Sequence, residues 1–317
     1  DSGLQVRALD QFSITLSLAP DNLDARFRLA QAYRRADQPQ QAIQSFADLL
    51  EMPGGDAFTG AYVQMGQAYE AVGDLDAAER RYRRATQFED QAAVAYYFLG
   101  DLFRKQGRYD EAISALEQAL TINPDQVDAK LQLGMVYQAA GDSERALQLI
   151  GEVAALAESN PQAAAQAYLR LGNLARDRGD LEEAAAQYRA AQTANPALIA
   201  PYLQLAQLLR GQGQTEQAFA QIQAAVENNP NSAEAQLELG KATIERGQFR
   251  EAVQILEHAA ELNPGSVETY IQLSLALQGL QNLDRGEIML NRALRLAQSD
   301  EQAARVLVQR GELRRGQ

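Results

Sequence analysis

A catalytic reading of this sequence has a single histidine to work with, His258. With one imidazole and no cysteine, no HExxH pair, Ser-His-Asp set or Cys-His pair can be assembled, and neither disulfides nor thiolate metal sites can form. Carboxylates stand side by side, as at Glu182-Glu183, but with basic partners at helical spacing, which is the pattern of a solvated helix face. Gly211-Gln212-Gly213 lacks the third glycine and the preceding strand of a dinucleotide fingerprint, so it reads as a turn. Nothing in these spacings supports catalysis, a cofactor or a metal. The chemistry left is non-covalent recognition.

The charge balance narrows what could be recognised. With 29 Lys and Arg against 42 Asp and Glu, the formal charge is −13. Phosphate backbones and anionic membrane surfaces both need a basic footprint, so nucleic acid is excluded as a general partner. No apolar run approaches the roughly 20 residues that a bilayer span requires. The sequence starts Asp1-Ser2-Gly3 without an initiator methionine. Together with the lack of cysteine, this fits an extracytoplasmic chain whose leader has been removed; it fits a cut chain equally, and the compartment stays open.

Recognition surfaces must be held by something, and the composition names it. Alanine, glutamine, leucine, glutamate and arginine dominate, all good helix formers, and no useful stretch alternates as a strand would. The order repeats. Asn-Pro recurs at 123–124, 195–196, 229–230 and 263–264, and two of these gaps are 34 residues. Leu-Gly recurs at 99–100, 133–134, 171–172 and 239–240; seven residues on comes glycine (107, 141, 179, 247), and five further comes alanine (112, 146, 184, 252). This pattern resembles the tetratricopeptide repeat along essentially the whole chain.

The resemblance implies an all-α, right-handed superhelical solenoid of antiparallel helix pairs, forming one domain over residues 1–317. Eight full repeats are predicted over 23–300, starting at Leu23, Thr59, Ala93, Val127, Ala165, Ile199, Ala233 and Val267. A half-repeat occupies 1–22, and 301–317 is a C-terminal helix. Extra residues around Pro53-Gly54-Gly55 and Ser159-Asn160-Pro161 fall between repeats, where loops can grow at little cost. Small residues such as Ala30, Gly66, Gly100 and Ser274 are expected where paired helices come closest, facing alanines such as Ala42, Ala78 and Ala112. The glycines that follow each first helix suit a left-handed cap. The last repeat departs from the pattern, with Gln281 in the cap position and Gly286 in place of alanine.

In this family first helices line the inner surface, and protein or peptide segments lie there. The resemblance therefore places Phe27, Arg28, Arg34 and Arg35 on the groove of the first repeat, and Tyr97, Phe98, Arg104 and Lys105 on that of the third. Members that grip a terminal carboxylate use paired basic residues and asparagine at positions that here read Phe27, Gln31, Gln64, Val94 and Phe98, so that clamp is missing. Gln64, Gln132, Gln204 and Gln272 share one inner position in alternate repeats, an amide ladder suited to the backbone of an extended peptide. Aromatic plus arginine is interface composition. It points to an acidic or aromatic-bearing partner segment.

At the ends, Ala8, Phe12 and Thr15 stand where a second helix would meet its first, and Ala304, Leu307 and Val308 stand on the inward stripe of a first helix. If these faces met between molecules they would complete a repeat, and such a heterologous contact propagates as a filament. The two readings of function are thus a scaffold for partner proteins and a subunit that joins other copies of itself end to end.

Overall fold

The computed structural model describes residues 2–315, with side chains from Arg7 onward. It is all-α: eighteen α-helices and one short 3-10 turn, with no strand among the described residues. The chain divides into two compact units, residues 1–153 and 154–317.

Unit 1 begins with α1 (Ser2–Leu18), which packs on α2 (Leu23–Arg35). Four antiparallel pairs follow: α2 with α3 (Pro39–Glu51), α4 (Gly60–Ala71) with α5 (Leu75–Ala85), α6 (Glu89–Lys105) with α7 (Tyr109–Ile122), and α8 (Val127–Ala139) with α9 (Ser143–Ala154), where Gly134 stands against Ile150. In unit 2 the pairs are α10 (Pro161–Asp177) with α11 (Leu181–Ala194), α12 (Ala200–Gly211) with α13 (Thr215–Asn228), α14 (Ala233–Glu245) with α15 (Phe249–Leu262), and α16 (Val267–Gly279) with α17 (Leu283–Leu296). The last helix, α18 (Asp300–Arg315), packs on α17 and α16.

Two first helices start a turn earlier than their repeats predict. The four-residue insertion does not remain a loop: Asn160 caps α10 by accepting from the Ala163 amide at 3.2 Å, Pro161 takes the first helical position, and the helix gains a turn. At α6 the usual Asn-Pro is Glu89-Asp90. With no proline there, the chain re-enters a helix at once, and both acids sit favourably in its first turn.

Packing inside each pair follows a lock more specific than small against small. A Cβ built on Gly66 would lie 2.4 Å from the Tyr82 ring, and one on Gly172 2.5 Å from Tyr188. The small first-helix residue, glycine in five repeats and Ala30, Ala206 or Ser274 in the others, therefore makes room for a large side chain four residues beyond the small residue of the second helix. That side chain is Phe46, Tyr82, Leu116, Ile150, Tyr188, Ile222, Leu256 or Leu290 in successive repeats, and each is buried. The cap position behaves as expected. Every repeat places it in the left-handed region, with glycine in six, Asp37 (φ 56°) in the first and Gln281 (φ 59°) in the last.

Candidate functional site

The first helices of three successive repeats in unit 1 enclose an open cleft of about 480 Å³. Phe27 comes from α2; Thr59, Gly60, Val63, Gln64 and Gln67 from the start of α4; Gln91, Val94 and Phe98 from α6. Phe58 enters from the loop that the Pro53-Gly54-Gly55 insertion creates. Gly54 turns that loop at φ 83°, and the 3-10 turn Gly55–Ala57 aims Phe58 at Phe27, with ring centroids 5.2 Å apart. Phe27 also meets Phe46 edge-on at 6.0 Å. Phe98 lies flat on Tyr82 at 5.5 Å and takes the edge of Tyr97 at 5.2 Å. The aromatic wall is thus fixed from behind by the same tyrosine that locks α4 to α5.

The lining carries no charged side chain. Its polarity is three amides, Gln64, Gln67 and Gln91, and the Thr59 hydroxyl; Gln91 and Thr59 donate to Asp90 at 2.9 and 2.6 Å. Gln64 Oε1 is buried and accepts from no described residue. A buried acceptor without a donor is costly, and a ligand N–H would repair it.

One turn further along the same helices the face becomes ionic and closes on itself. Asp101 binds Arg104 at 2.8 Å, Lys105 at 2.7 Å, and the Gln132 amide of α8 at 2.8 Å. Lys105 also reaches Glu70 on α4 at 2.9 Å, and Glu70 accepts the Tyr82 hydroxyl at 2.5 Å. Burial pushes the Asp101 carboxyl up, but Lys105 and Arg104 outweigh it and hold it below the usual carboxylate range. Burial and Glu70 push the Tyr82 hydroxyl well above the ordinary tyrosine range.

These pairings sort the sequence-predicted residues. Phe27, Gln64 and Phe98 line one cleft, while Tyr97 supports it from the side. Arg104 and Lys105 are neutralised by Asp101 and Glu70, so they are not free to greet an acidic ligand. Arg28 is exposed and pairs with Asp24 at 3.6 Å. Arg34 and Arg35 make no ion pair with a described residue, and burial plus the Arg35 charge depresses the Arg34 pKa. The rest of the amide ladder is partly engaged: Gln132 donates to Asp101 although its own Oε1 is buried without a described donor, Gln204 accepts from Arg176 at 2.7 Å, and Gln272 donates to Glu268 at 2.8 Å. Only Gln64 of the four has no partner among the described residues. His258 sits half-exposed beside Glu261 at 3.5 Å.

At the ends, Ala8, Phe12 and Thr15 are half-buried on α1, and Thr15 Oγ1 donates to the Gln11 carbonyl at 2.8 Å. The inward stripe of α18 is not the expected one. Val306 and Leu313 are buried, whereas Ala304 is exposed and Leu307 and Val308 are 45% and 64% exposed. The face that α18 turns to α16 and α17 carries the first two, which leaves the others outward.

Phe58, Gln67, Gln91 and Val94 complete the cleft without having been singled out as contacts. Val94 occupies one of the clamp positions, so its place was readable; Phe58 lies in an irregular insertion, and no repeat register reaches it.

Among the described residues no helix is long and apolar enough to cross a membrane, and no three His, Asp or Glu side chains cluster as a metal site would need. Family models described as tetratricopeptide repeat match residues 7–57, 63–127 and 203–267 in one case, 103–169 and 243–309 in a second, and 165–198 in a third. Among curated proteins, the chain is 25% identical over 170 residues to the human protein O-mannosyl-transferase TMTC1, covering 43% of this chain and 19% of that protein. It is 26% identical over 151 residues to the TPR repeat-containing protein YpiA of Bacillus subtilis (strain 168), covering 47% and 35%. The chain thus spans well under half the length of these relatives. Among solved structures, yeast Tom70 superposes with a TM-score of 0.63 at 17% identity over 99% of this chain and 59% of that one. Pseudomonas aeruginosa pilF gives 0.50 at 19% identity over 69% and 98%.

Proposed function

The chain is a member of the tetratricopeptide repeat family, and from that premise we propose that it is a non-enzymatic scaffold which holds an extended segment of a partner protein in the α2–α4–α6 cleft. Tetratricopeptide repeats generally mediate protein–protein interaction. The finer reading rests on one observation: where clamp-bearing members hold a carboxylate, this cleft is aromatic and aliphatic, uncharged, and floored by a glutamine acceptor with no donor. A bulky apolar side chain of the partner fills the space between Phe27, Phe58, Val94 and Phe98, and a backbone N–H of the same segment satisfies Gln64 Oε1. The volume lies within the range of ordinary ligand pockets. The one hydroxyl lining the cleft, Thr59, donates to Asp90 at 2.6 Å, and no histidine, lysine or carboxylate lines the cleft beside it; the transferase named above shares only a fifth of its length with this chain.

Panning a random linear-peptide library on the purified chain tests this. Enriched peptides should share an aromatic or large aliphatic residue. They should lose binding to Val94→Glu, a rim substitution at a 40% exposed site, and keep it against Arg189→Glu on α11. Peptides that bind Val94→Glu as well as the parent chain would sink the assignment.

A second reading, association of copies end to end, draws on α18. Ala304, Leu307 and Val308 are outward, whereas the equivalent Tyr270, Leu273 and Ser274 of α16 are buried. Light scattering on the parent chain and on Leu307→Glu/Val308→Glu decides it: assemblies that vanish in the variant support it, and monomers in both remove it.

A further inference from the structure

One helix contradicts the acidity of the chain. In α5, four of five consecutive residues are arginine (Arg80, Arg81, Arg83, Arg84), in a protein with a net charge of −13. The fifth, Tyr82, is buried together with Ala78 and Ala85, so the helix turns its arginines away from the core. Arg80, Arg83 and Arg84 are exposed, at spacings that put them on one face.

Their counter-ions are few and already engaged. Glu79 pairs with Arg83 at 2.6 Å and also receives Arg108 of the neighbouring pair at 2.8 Å, and Arg108 continues to Glu111. Arg80, Arg81 and Arg84 make no ion pair with a described residue; the other acid of α5 is Asp76, a turn away. Arg84 is moreover pre-positioned. Tyr62 and Phe88 stack at 5.4 Å, and the Arg84 guanidinium lies 5.3 Å over Phe88 and 5.8 Å from Tyr62, bonded also to Gln87. A stacked guanidinium has already lost the side-chain entropy that anion binding would cost, while its N–H edge stays able to grip a carboxylate.

We propose that the exposed face of α5 is a second docking surface, for an acidic segment of a partner protein, with Arg80 and Arg84 meeting its carboxylates while Arg83 stays held by Glu79. The field around the patch selects the size of the anion. A short run of Asp and Glu stays within about one screening length, roughly 8 Å at physiological salt, of the arginines. A long polyanion or an anionic bilayer extends over the surrounding acidic surface and is repelled. This surface belongs to a second helix and shares no residue with the α2–α4–α6 cleft, so it stands or falls independently of what that cleft holds.

The test is fluorescence anisotropy with a labelled peptide of alternating Glu and Ala, beside its Gln counterpart. The Glu peptide should bind, more weakly as salt rises, and the Gln peptide should not. Charge reversal in Arg80→Glu/Arg84→Glu should weaken binding at least about tenfold. Arg80→Glu alone, which leaves the Arg84 stack intact, should show part of that loss with an unchanged melting curve, and Arg189→Glu should show none. No binding of the Glu peptide, or equal loss in Arg189→Glu, would overturn the proposal. So would phosphatidylserine vesicles or an RNA oligonucleotide binding more tightly than the peptide with the same arginine dependence. Arginine-dependent self-association in light scattering would assign the patch to a second copy instead, and would equally overturn it.

Discussion

Each unit carries a half-buried carboxylate that joins first helices of successive repeats, and the ground beside it is built differently. In unit 1 Asp101 gathers Arg104, Lys105 and Gln132. In unit 2 Glu268 of α16 gathers Gln272 at 2.8 Å, Arg305 of α18 at 2.6 Å and Lys241 of α14 at 4.0 Å. Next to Asp101 opens the uncharged aromatic cleft. The cleft beside Glu268, about 300 Å³, is walled by the Glu268–Arg305 pair itself with Ser266, Gln298 and Gln302. The repeat thus constrains the buried side of a first helix tightly and its outer side hardly at all. Recognition can therefore differ from one unit to the other without any change in how the pairs lock.

The most severe way to break this comparison attacks the lock. Gly66→Leu and Gly172→Leu each drive a side chain into a buried tyrosine ring and should cost about 3 kcal/mol, read as a fall in the urea midpoint. Only Gly66→Leu should also abolish binding of cleft-selected peptides, because Tyr82 backs Phe98. Equal loss of binding from both variants would show that the cleft does not reside in unit 1 alone.

The carboxylates come next. Asp101→Asn and Glu268→Gln should each cost about 1–2 kcal/mol, between the values of exposed and fully buried pairs. Burial raises the Glu268 pKa, yet Gln272, Arg305 and Lys241 overcome it, so both carboxyls titrate below their ordinary values. A depressed folded-state pKa gives stability that is complete above the unfolded-state value and lost as pH falls through the folded one. Stability should therefore drop on acidification below about pH 4, with a shallower drop in either variant. An identical acid limb in the parent and both variants would deny these residues the role.

Phe58→Ala is the milder probe of the cleft. The ring stands on an irregular loop against Phe27, so its loss should weaken cleft-selected peptides about tenfold, or about 1.4 kcal/mol, while shifting the urea midpoint little. Unchanged affinity would take the loop out of the site.

How much of this was legible follows the same division. The pairs and the left-handed caps could be read because one register imposes them eight times, and the alanines because it imposes them seven times. The apolar character of the cleft was partly readable, since Phe27, Val94 and Phe98 stand where a clamp would need polar groups. Its third wall was not, because Phe58 lies outside the register. The pairing of Arg104 and Lys105 was not readable for a different reason. Lys105 looks free in sequence, and its partners Asp101 and Glu70 are 4 and 35 residues away, the second reachable only through the stacking of repeats. The stripe of α18 was likewise set by packing on α16 and α17, which selected Val306 and Leu313 over Leu307 and Val308.

The smallest effect lies at the caps, where the units again differ. Asp37 in unit 1 and Gln281 in unit 2 hold the left-handed position that glycine fills in six other repeats. Aspartate tolerates that conformation because its short polar side chain bonds locally; glutamine has no such relief and bears most of the steric cost. Gln281→Gly removes the strain but gives the unfolded chain more freedom, so the net gain should be about 0.5–1 kcal/mol. Asp37→Gly, with less strain to relieve and the same entropy to lose, should be close to neutral. Thermal melts of the two variants decide between strain and sequence irregularity as the meaning of Gln281. A gain confined to Gln281→Gly identifies a strained cap, and equal shifts in both would mean that the φ value there costs the last repeat nothing.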